Sequence, residues 1–113
     1  MIVSQGTVDE VPAVRFRQLD LVRVKGKHEP VAIYEPIGLK AEIGSDAESR
    51  LELFEQALRH YRKQNWGEAE AVLRLLSESE AHSLYHIYMR RIETFRANPP
   101  GPDWDGVFSH QSK

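Results

Sequence analysis

The sequence has no cysteine and no long run of apolar residues. Without cysteine the chain has neither a disulfide framework nor a thiolate metal site. A membrane-spanning helix needs about 20 consecutive apolar residues, and no run in this chain approaches that length. Residues 1–10 also lack the basic start and apolar core of a signal peptide. We therefore expect a cytoplasmic protein, with any membrane anchor confined to upstream segments of a longer parent.

The chain also has little net charge. The chain carries −2 at pH 7 over 113 residues, which predicts no general affinity for nucleic acid or membranes. The charges are nevertheless segregated along the sequence. Residues 14–28 contain five cations against the single anion Asp20: Arg15, Arg17, Arg23, Lys25 and Lys27.

The first part of the chain, residues 1–37, has β character. β-Branched and aromatic residues between turn signals predict strands, and a break in their alternation predicts a bulge. We expect a short strand at Ile2–Val3, a brief helix over 7–11, a strand over 14–24 with a bulge near Gln18–Leu19, a turn over 25–28 and a return strand over 31–34.

The second part, residues 46–97, has helical periodicity and follows a linker over 38–45. Capping-box patterns begin at Ser45 and Asn65, and three apolar stripes follow the spacing of three and four. The stripes are Leu51, Phe54, Leu58 and Tyr61; Ala69, Val72, Leu73 and Leu76; and Leu84, Tyr88, Ile92 and Phe95. The sequence therefore predicts an α+β fold, a small antiparallel β-hairpin region followed by a three-helix bundle. In the tail, residues 98–113, Trp104 is expected to be the anchor.

The turn between the two long strands holds the strongest candidate for binding chemistry. Gly26 separates Lys25 from Lys27, and lysine is a flexible point charge suited to phosphate. Arg23 is a further candidate, because residues of equal parity share one face of a regular strand. The alternative is a solvated hairpin whose lysines protect a strand edge from aggregation.

A resemblance bears on this choice. Residues 16–35 contain VRVKGK, EPV and IYE in order, and this segment resembles the last β-hairpin of bacterial class III adenylate and guanylate cyclases. Gln18 stands where that family usually has glutamate. Residues 2–7 resemble the strand and turn that precede the hairpin, and residues 98–107, NPPGPDWDGV, resemble the ending of many bacterial cyclases.

The resemblance implies a parent enzyme that converts ATP or GTP into the 3′,5′-cyclic monophosphate and pyrophosphate. Such catalytic domains act as dimers, and two aspartates hold two Mg²⁺ or Mn²⁺ ions that activate the ribose 3′-hydroxyl. The resemblance assigns the phosphate contact to Lys25 in the first place and to Lys27 in the second. The aspartates precede the matched segment in the family. We therefore expect this chain to bind no cofactor, to be inactive alone, and to associate with the rest of the catalytic domain and a second copy.

The helices carry a second resemblance. Residues 60–69, HYRKQNWGEA, are similar to the middle of a tetratricopeptide repeat, with Ala69 at the close helix crossing. This favours an alternative function, a protein-interaction module, although free-standing solenoids usually need three repeats. His82 and His86 have the i, i+4 spacing of a metal pair. No further ligand motif supports a metal site, and we interpret them as a surface pair.

Overall fold

A three-stranded antiparallel sheet lies in the N-terminal part of the chain. The computed structural model describes residues 1–23 and 28–108. The central strand is β3, with β1 on one side and β2 on the other. In chain order the elements are β1 (Val3–Ser4), α1 (Gln5–Glu10), β2 (Val14–Val22), β3 (Val31–Leu39) and a 3-10 helix (Lys40–Glu42). The end of β3 and the 3-10 helix thus occupy part of residues 38–45, for which the sequence predicts a linker.

The register of β2 against β3 contains the predicted bulge. Gln18 is opposite Tyr34 and Asp20 is opposite Ile33, so Leu19 is the extra residue. The prediction of a bulge near Gln18–Leu19 is confirmed. An extra residue reverses the alternation of faces beyond it. β2 is therefore not the regular strand that would bring all the cations of residues 14–28 to one face.

One of these cations, Arg17, forms an ion pair between the strands of the sheet. Arg17 lies opposite Glu35, and its Nε donates to Glu35 Oε2 at 2.8 Å. The side chain of Arg17 is only 11% exposed. Cross-strand pairs of opposite charge stabilise a particular register. Arg17 thus serves the pairing of β2 with β3, and its charge is largely neutralised there.

Three helices follow the sheet: α2 (Ser45–Arg62), α3 (Trp66–Ser79) and α4 (Ser83–Ala97). The predicted α+β class, with a small antiparallel sheet followed by three helices, is confirmed. The turn from α2 to α3 contains Gln64 at φ 63°, a left-handed conformation that a non-glycine residue seldom adopts. No helix in the described part of the chain is long and apolar enough to cross a membrane.

The start of α3 differs from the prediction. Asn65 occupies the N-cap position, but its side chain makes no capping hydrogen bond. The capping box predicted for Asn65 and Glu68 is therefore wrong. The backbone carbonyl of Asn65 accepts from the Ala69 N–H at 3.0 Å, the first hydrogen bond of the helix. Backbone bonding and burial of the apolar face hold this end without the side-chain cap.

The predicted stripes form the buried core of the helices, with two adjustments. In α4 the buried residue of the first turn is Tyr85, and Leu84 is half-buried; in α3 Val72 is half-buried. Tyr85 replaces Leu84 because its ring packs against Phe54 at 5.8 Å, and its hydroxyl donates to Glu80 at 2.7 Å. The buried set is Leu51, Phe54, Ala57, Leu58, Tyr61, Ala69, Leu73, Leu76, Tyr85, Tyr88, Ile92 and Phe95.

The chain divides into two compact units. The first comprises residues 1–45 with residues 105–113, and we call it the sheet unit. The second comprises Asp46–Trp104, and we call it the helical unit. The division falls at the start of α2 and again between Trp104 and Asp105. The sheet unit is therefore not continuous in sequence, because the tail beyond Trp104 belongs to it.

Two isoleucines of α4 provide a matched test of the helical core. Ile92 is 0% exposed and Ile87 is 45% exposed. We expect Ile92→Ala to lower the free energy of unfolding by about 2–5 kcal/mol, because it removes a buried side chain and leaves a cavity. Ile87→Ala should change it by less than about 1 kcal/mol. Urea unfolding followed by circular dichroism measures both. Equal losses for the two variants would contradict this packing.

Candidate phosphate-binding hairpin

The two lysines predicted to bind phosphate belong to the connection between β2 and β3. The strand β2 ends at Val22, β3 begins at Val31, and these two residues are opposite each other. Lys25 and Lys27 lie outside the described residues. On the described side of the connection, Arg23 follows β2 directly.

Arg23, the third candidate, is ion-paired with the tail. Its Nη2 bonds to Oδ2 of Asp105, a residue 82 positions further along the chain. Both side chains are partly open to solvent, with 39% of Arg23 and 33% of Asp105 exposed. A guanidinium carries five N–H donors, and this ion pair is made by one of its terminal nitrogens. Sequence reasoning missed this contact because no local pattern links residues so far apart.

A compact turn holds Asp105 in place. Oδ1 of Asp105 accepts from the Val107 N–H at 3.1 Å, which is the local turn that aspartate side chains favour. Gly106 has φ +93°, a conformation that suits glycine and strains other residues. Val107 is buried. Asp105, Gly106 and Val107 thus each suit their positions in this turn, which holds a carboxylate beside Arg23.

Trp104, predicted as the tail anchor, lies in a group of aromatic rings of the helical unit. Its ring centroid is 4.9 Å from that of Phe95 and 5.2 Å from that of Tyr61. Trp66 completes the group, stacked on Phe95 at 5.1 Å. We call these four residues the aromatic cluster. Gln64 also holds the tail, since its Nε2 donates to the Gly101 carbonyl at 2.6 Å.

The two histidines considered as a metal pair are differently placed. His82 precedes α4 as its N-cap, and its Nδ1 accepts from the Leu84 N–H at 3.1 Å. His86 is on the helix and exposed. The i, i+4 spacing thus does not put both on one helical face. Within residues 1–23 and 28–108 no three His, Asp or Glu side chains come together as a metal-ligand set.

A cleft between α3 and α4 was not foreseen from the sequence. It encloses about 370 Å³ and is lined by polar and charged side chains around one methionine: Glu70, Arg74, His86, Met89, Arg90 and Glu93. The spacing Glu70–Arg74 and His86–Arg90 is the i, i+4 pattern of side chains on one helical face. This spacing was the only sign of the cleft that we find in the sequence, but it is also common on helices that face solvent.

Glu70 of the cleft is held by two arginines. It accepts from Arg74 at 3.1 Å and lies 2.9 Å from Arg96. Partial burial raises the pKa of its carboxyl, but the hydrogen bond from Arg74 and the charges of Arg96 and Arg74 outweigh burial and leave the pKa below its ordinary value of 4.5. Glu70 therefore stays ionised at neutral pH and cancels part of the arginine charge.

The Glu70 ion pairs predict a pH-dependent contribution to stability. Because the folded-state pKa is lowered, the stabilisation is present above the unfolded pKa near 4.5 and is lost as pH falls through the folded pKa. We expect Glu70→Gln to lower the free energy of unfolding at pH 7 by about 0.2–1 kcal/mol. The difference from wild type should shrink below about pH 4.5.

Urea titrations between pH 3 and pH 7 measure this difference. The control is Glu78→Gln, which removes the same charge from an exposed position of α3. A loss for Glu70→Gln that is no larger than for Glu78→Gln, or that is constant over this pH range, would contradict the network.

Comparisons with known proteins add no family to these observations. Searches with protein-family models, against curated proteins and against solved structures find no match to this chain. The function must therefore be argued from the hairpin, the tail and the cleft, together with the resemblance seen in the sequence.

Proposed function

We propose that this chain is the C-terminal part of a class III nucleotidyl cyclase and contributes a hairpin that binds the nucleotide triphosphate. The observation that carries the proposal is the ungapped likeness of residues 16–35 to the last hairpin of that family. The antiparallel pairing of β2 with β3 supports it, because the likeness requires these two segments to be hairpin partners. The pairing of β1 with β3 supports the likeness of residues 2–7.

In this proposal Lys25 supplies the phosphate contact and Lys27 assists it. Cyclisation joins the 3′-oxygen to the α-phosphorus and expels pyrophosphate. Negative charge grows on the leaving pyrophosphate in the transition state, and a lysine near it stabilises that charge. Arg17 is already paired with Glu35. An arginine suits a fixed pair with a carboxylate, and a lysine suits contact with a phosphate, because the guanidinium is planar and directional and the ammonium is a mobile point charge.

The metal chemistry belongs to other residues of the proposed parent. Two Mg²⁺ or Mn²⁺ ions would activate the 3′-hydroxyl and neutralise the phosphates. The aspartates that hold them precede the matched segment in the family, as do the residues that select adenine or guanine. The proposed partners are therefore the rest of the catalytic domain and a second copy of the chain, with ATP or GTP as the substrate of the assembly.

A second candidate function rests on the helical unit. The α3–α4 cleft is lined by Met89 together with Arg74 and Arg90, a combination of apolar and cationic side chains that suits a short peptide. Residues 60–69 resemble a tetratricopeptide repeat, a fold that binds peptides. In this reading the chain is a protein-interaction module and the lysines of the hairpin are a solvated edge.

The distinguishing prediction concerns Lys25 in the parent protein. We expect Lys25→Ala to lower turnover or nucleotide affinity by about one to two orders of magnitude, because a charge-assisted hydrogen bond contributes roughly 1.5–3 kcal/mol. Lys27→Ala should have a smaller effect. Steady-state kinetics with ATP and with GTP measure both, and thermal melting should barely change because a turn lysine contributes little to stability.

The present chain without upstream residues is the negative control. Incubated with ATP or GTP and Mn²⁺, it should form no cyclic nucleotide above the blank. Wild-type kinetics for Lys25→Ala with both nucleotides would remove the phosphate role and favour the interaction module. Cyclic nucleotide formed by the isolated chain would overturn the division of residues proposed here.

A further inference from the structure

The cleft between α3 and α4 contains two opposite charges without a partner in the described part of the chain. Arg90 and Glu93 both line it, and neither side chain forms an ion pair or a hydrogen bond within residues 1–23 and 28–108. We propose that the cleft binds a short peptide segment that carries an acidic and a basic side chain two positions apart. The inference rests on the peptide-binding interpretation of the helical unit and is independent of the phosphate role of the hairpin.

The other charges of the cleft already have partners. Glu70 accepts from Arg74 at 3.1 Å and lies 2.9 Å from Arg96, so one carboxylate holds two guanidinium groups. Arg90 and Glu93 are exposed, and a ligand can reach them from solvent. The charges that the cleft offers to a ligand are therefore one cation and one anion, both on α4.

The balance of charge in the cleft favours a ligand that carries both signs. Two acids and two arginines line it. A polyanion that approached Arg90 would also meet the carboxylates of Glu70 and Glu93, and like charges repel each other at short range. A polycation would meet the arginines in the same way. A ligand with one charge of each sign pairs with Arg90 and Glu93 together, and such complementarity selects among partners.

The spacing of the two charges matches an extended peptide. Residues three apart on a helix share one face, with Cβ atoms about 5–6 Å apart, and this is the spacing of Arg90 and Glu93. Side chains two positions apart in an extended segment also share one face, about 7 Å apart. Met89 is half-buried and lines the same cleft. The aliphatic stem of a lysine can pack on Met89 while its ammonium group pairs with Glu93.

The size of the cleft suits a short segment. It encloses about 370 Å³, within the range of roughly 300–1,000 Å³ that is common for ligand pockets. That volume admits a few peptide residues and is too small for a whole helix. Since the lining side chains project from two helices, their positions are better defined than those of a loop.

The test uses the whole chain and three pentapeptides with blocked ends that differ only in charge. Their sequences are Gly-Glu-Ala-Lys-Gly, Gly-Glu-Ala-Gln-Gly and Gly-Gln-Ala-Lys-Gly. A two-dimensional NMR titration at neutral pH measures the affinity of each and locates its site. We expect the peptide with both charges to bind about twofold to fivefold more tightly than either of the others, because each exposed ion pair contributes little by itself. The amide signals of residues 86–93 should shift most.

Two variants assign each charge of the peptide to its partner. Arg90→Gln should weaken the peptide with both charges by about twofold to fivefold and leave the lysine-only peptide unaffected, because the lost partner is that of the acid. Glu93→Gln should weaken the same peptide and leave the glutamate-only peptide unaffected. The controls Arg59→Gln and Glu78→Gln remove the same charges from exposed positions outside the cleft and should leave all three affinities unchanged. Circular dichroism melting verifies that each variant is folded.

Equal affinities for the three peptides would overturn the proposal. So would a loss in Arg90→Gln that the lysine-only peptide shares or that Arg59→Gln matches. Peptide binding that shifts signals of the helical unit outside the cleft would show the cleft to be wrong while the chain remained an interaction module. If no peptide shifts any signal, the cleft site and the peptide-binding interpretation both fail. The kinetics of Lys25→Ala in the parent concern the hairpin alone, so the two proposals stand or fall separately.

Discussion

Tyr61 is the residue on which the helical unit depends. Its buried ring lies 4.8 Å from Tyr88 of α4, 5.7 Å from Trp66 of α3 and 5.2 Å from Trp104 of the tail, centroid to centroid. Edge-to-face geometry at these distances adds directional attraction to the burial of apolar surface. The last residue but one of α2 thus contacts every other segment of the unit. Three helices of 14 to 18 residues would each be marginal without such tertiary packing.

The fold was largely readable from local patterns. The apolar stripes predicted three helices because each stripe covers one face of a helix, and the broken alternation at Gln18–Leu19 predicted the bulge. The misses have local causes. Asn65 has a capping residue type but uses only its backbone, and Tyr85 rather than Leu84 is buried because a ring and a hydroxyl both find partners there.

The candidate site was harder to predict from the sequence than the fold, because its contacts join residues that are far apart in the chain. The five cations of residues 14–28 form one cluster in the sequence. In the structure Arg17 is committed to Glu35 and Arg23 to Asp105. No spacing rule connects residue 23 with residue 105. The α3–α4 cleft was equally hidden, since charged residues on two helices become a cleft only when the helices pack.

In the hairpin and the tail, the roles of arginine and lysine differ in the way their side-chain chemistry predicts. An arginine forms planar, directional pairs with carboxylates, whereas lysine is a mobile point charge. Arg17 and Arg23 therefore suit ion pairs with carboxylates, and the lysines of the connection suit a ligand that comes and goes.

The most direct test of the account is to locate where a triphosphate acts on the chain. In a two-dimensional NMR titration with tripolyphosphate, the account predicts that the backbone amide signals of residues 22–28 shift most. The signals of the cleft residues on α3 and α4 should remain in place. Shifts concentrated at Arg74, His86 and Arg90, with the hairpin signals unchanged, would contradict the phosphate-binding hairpin.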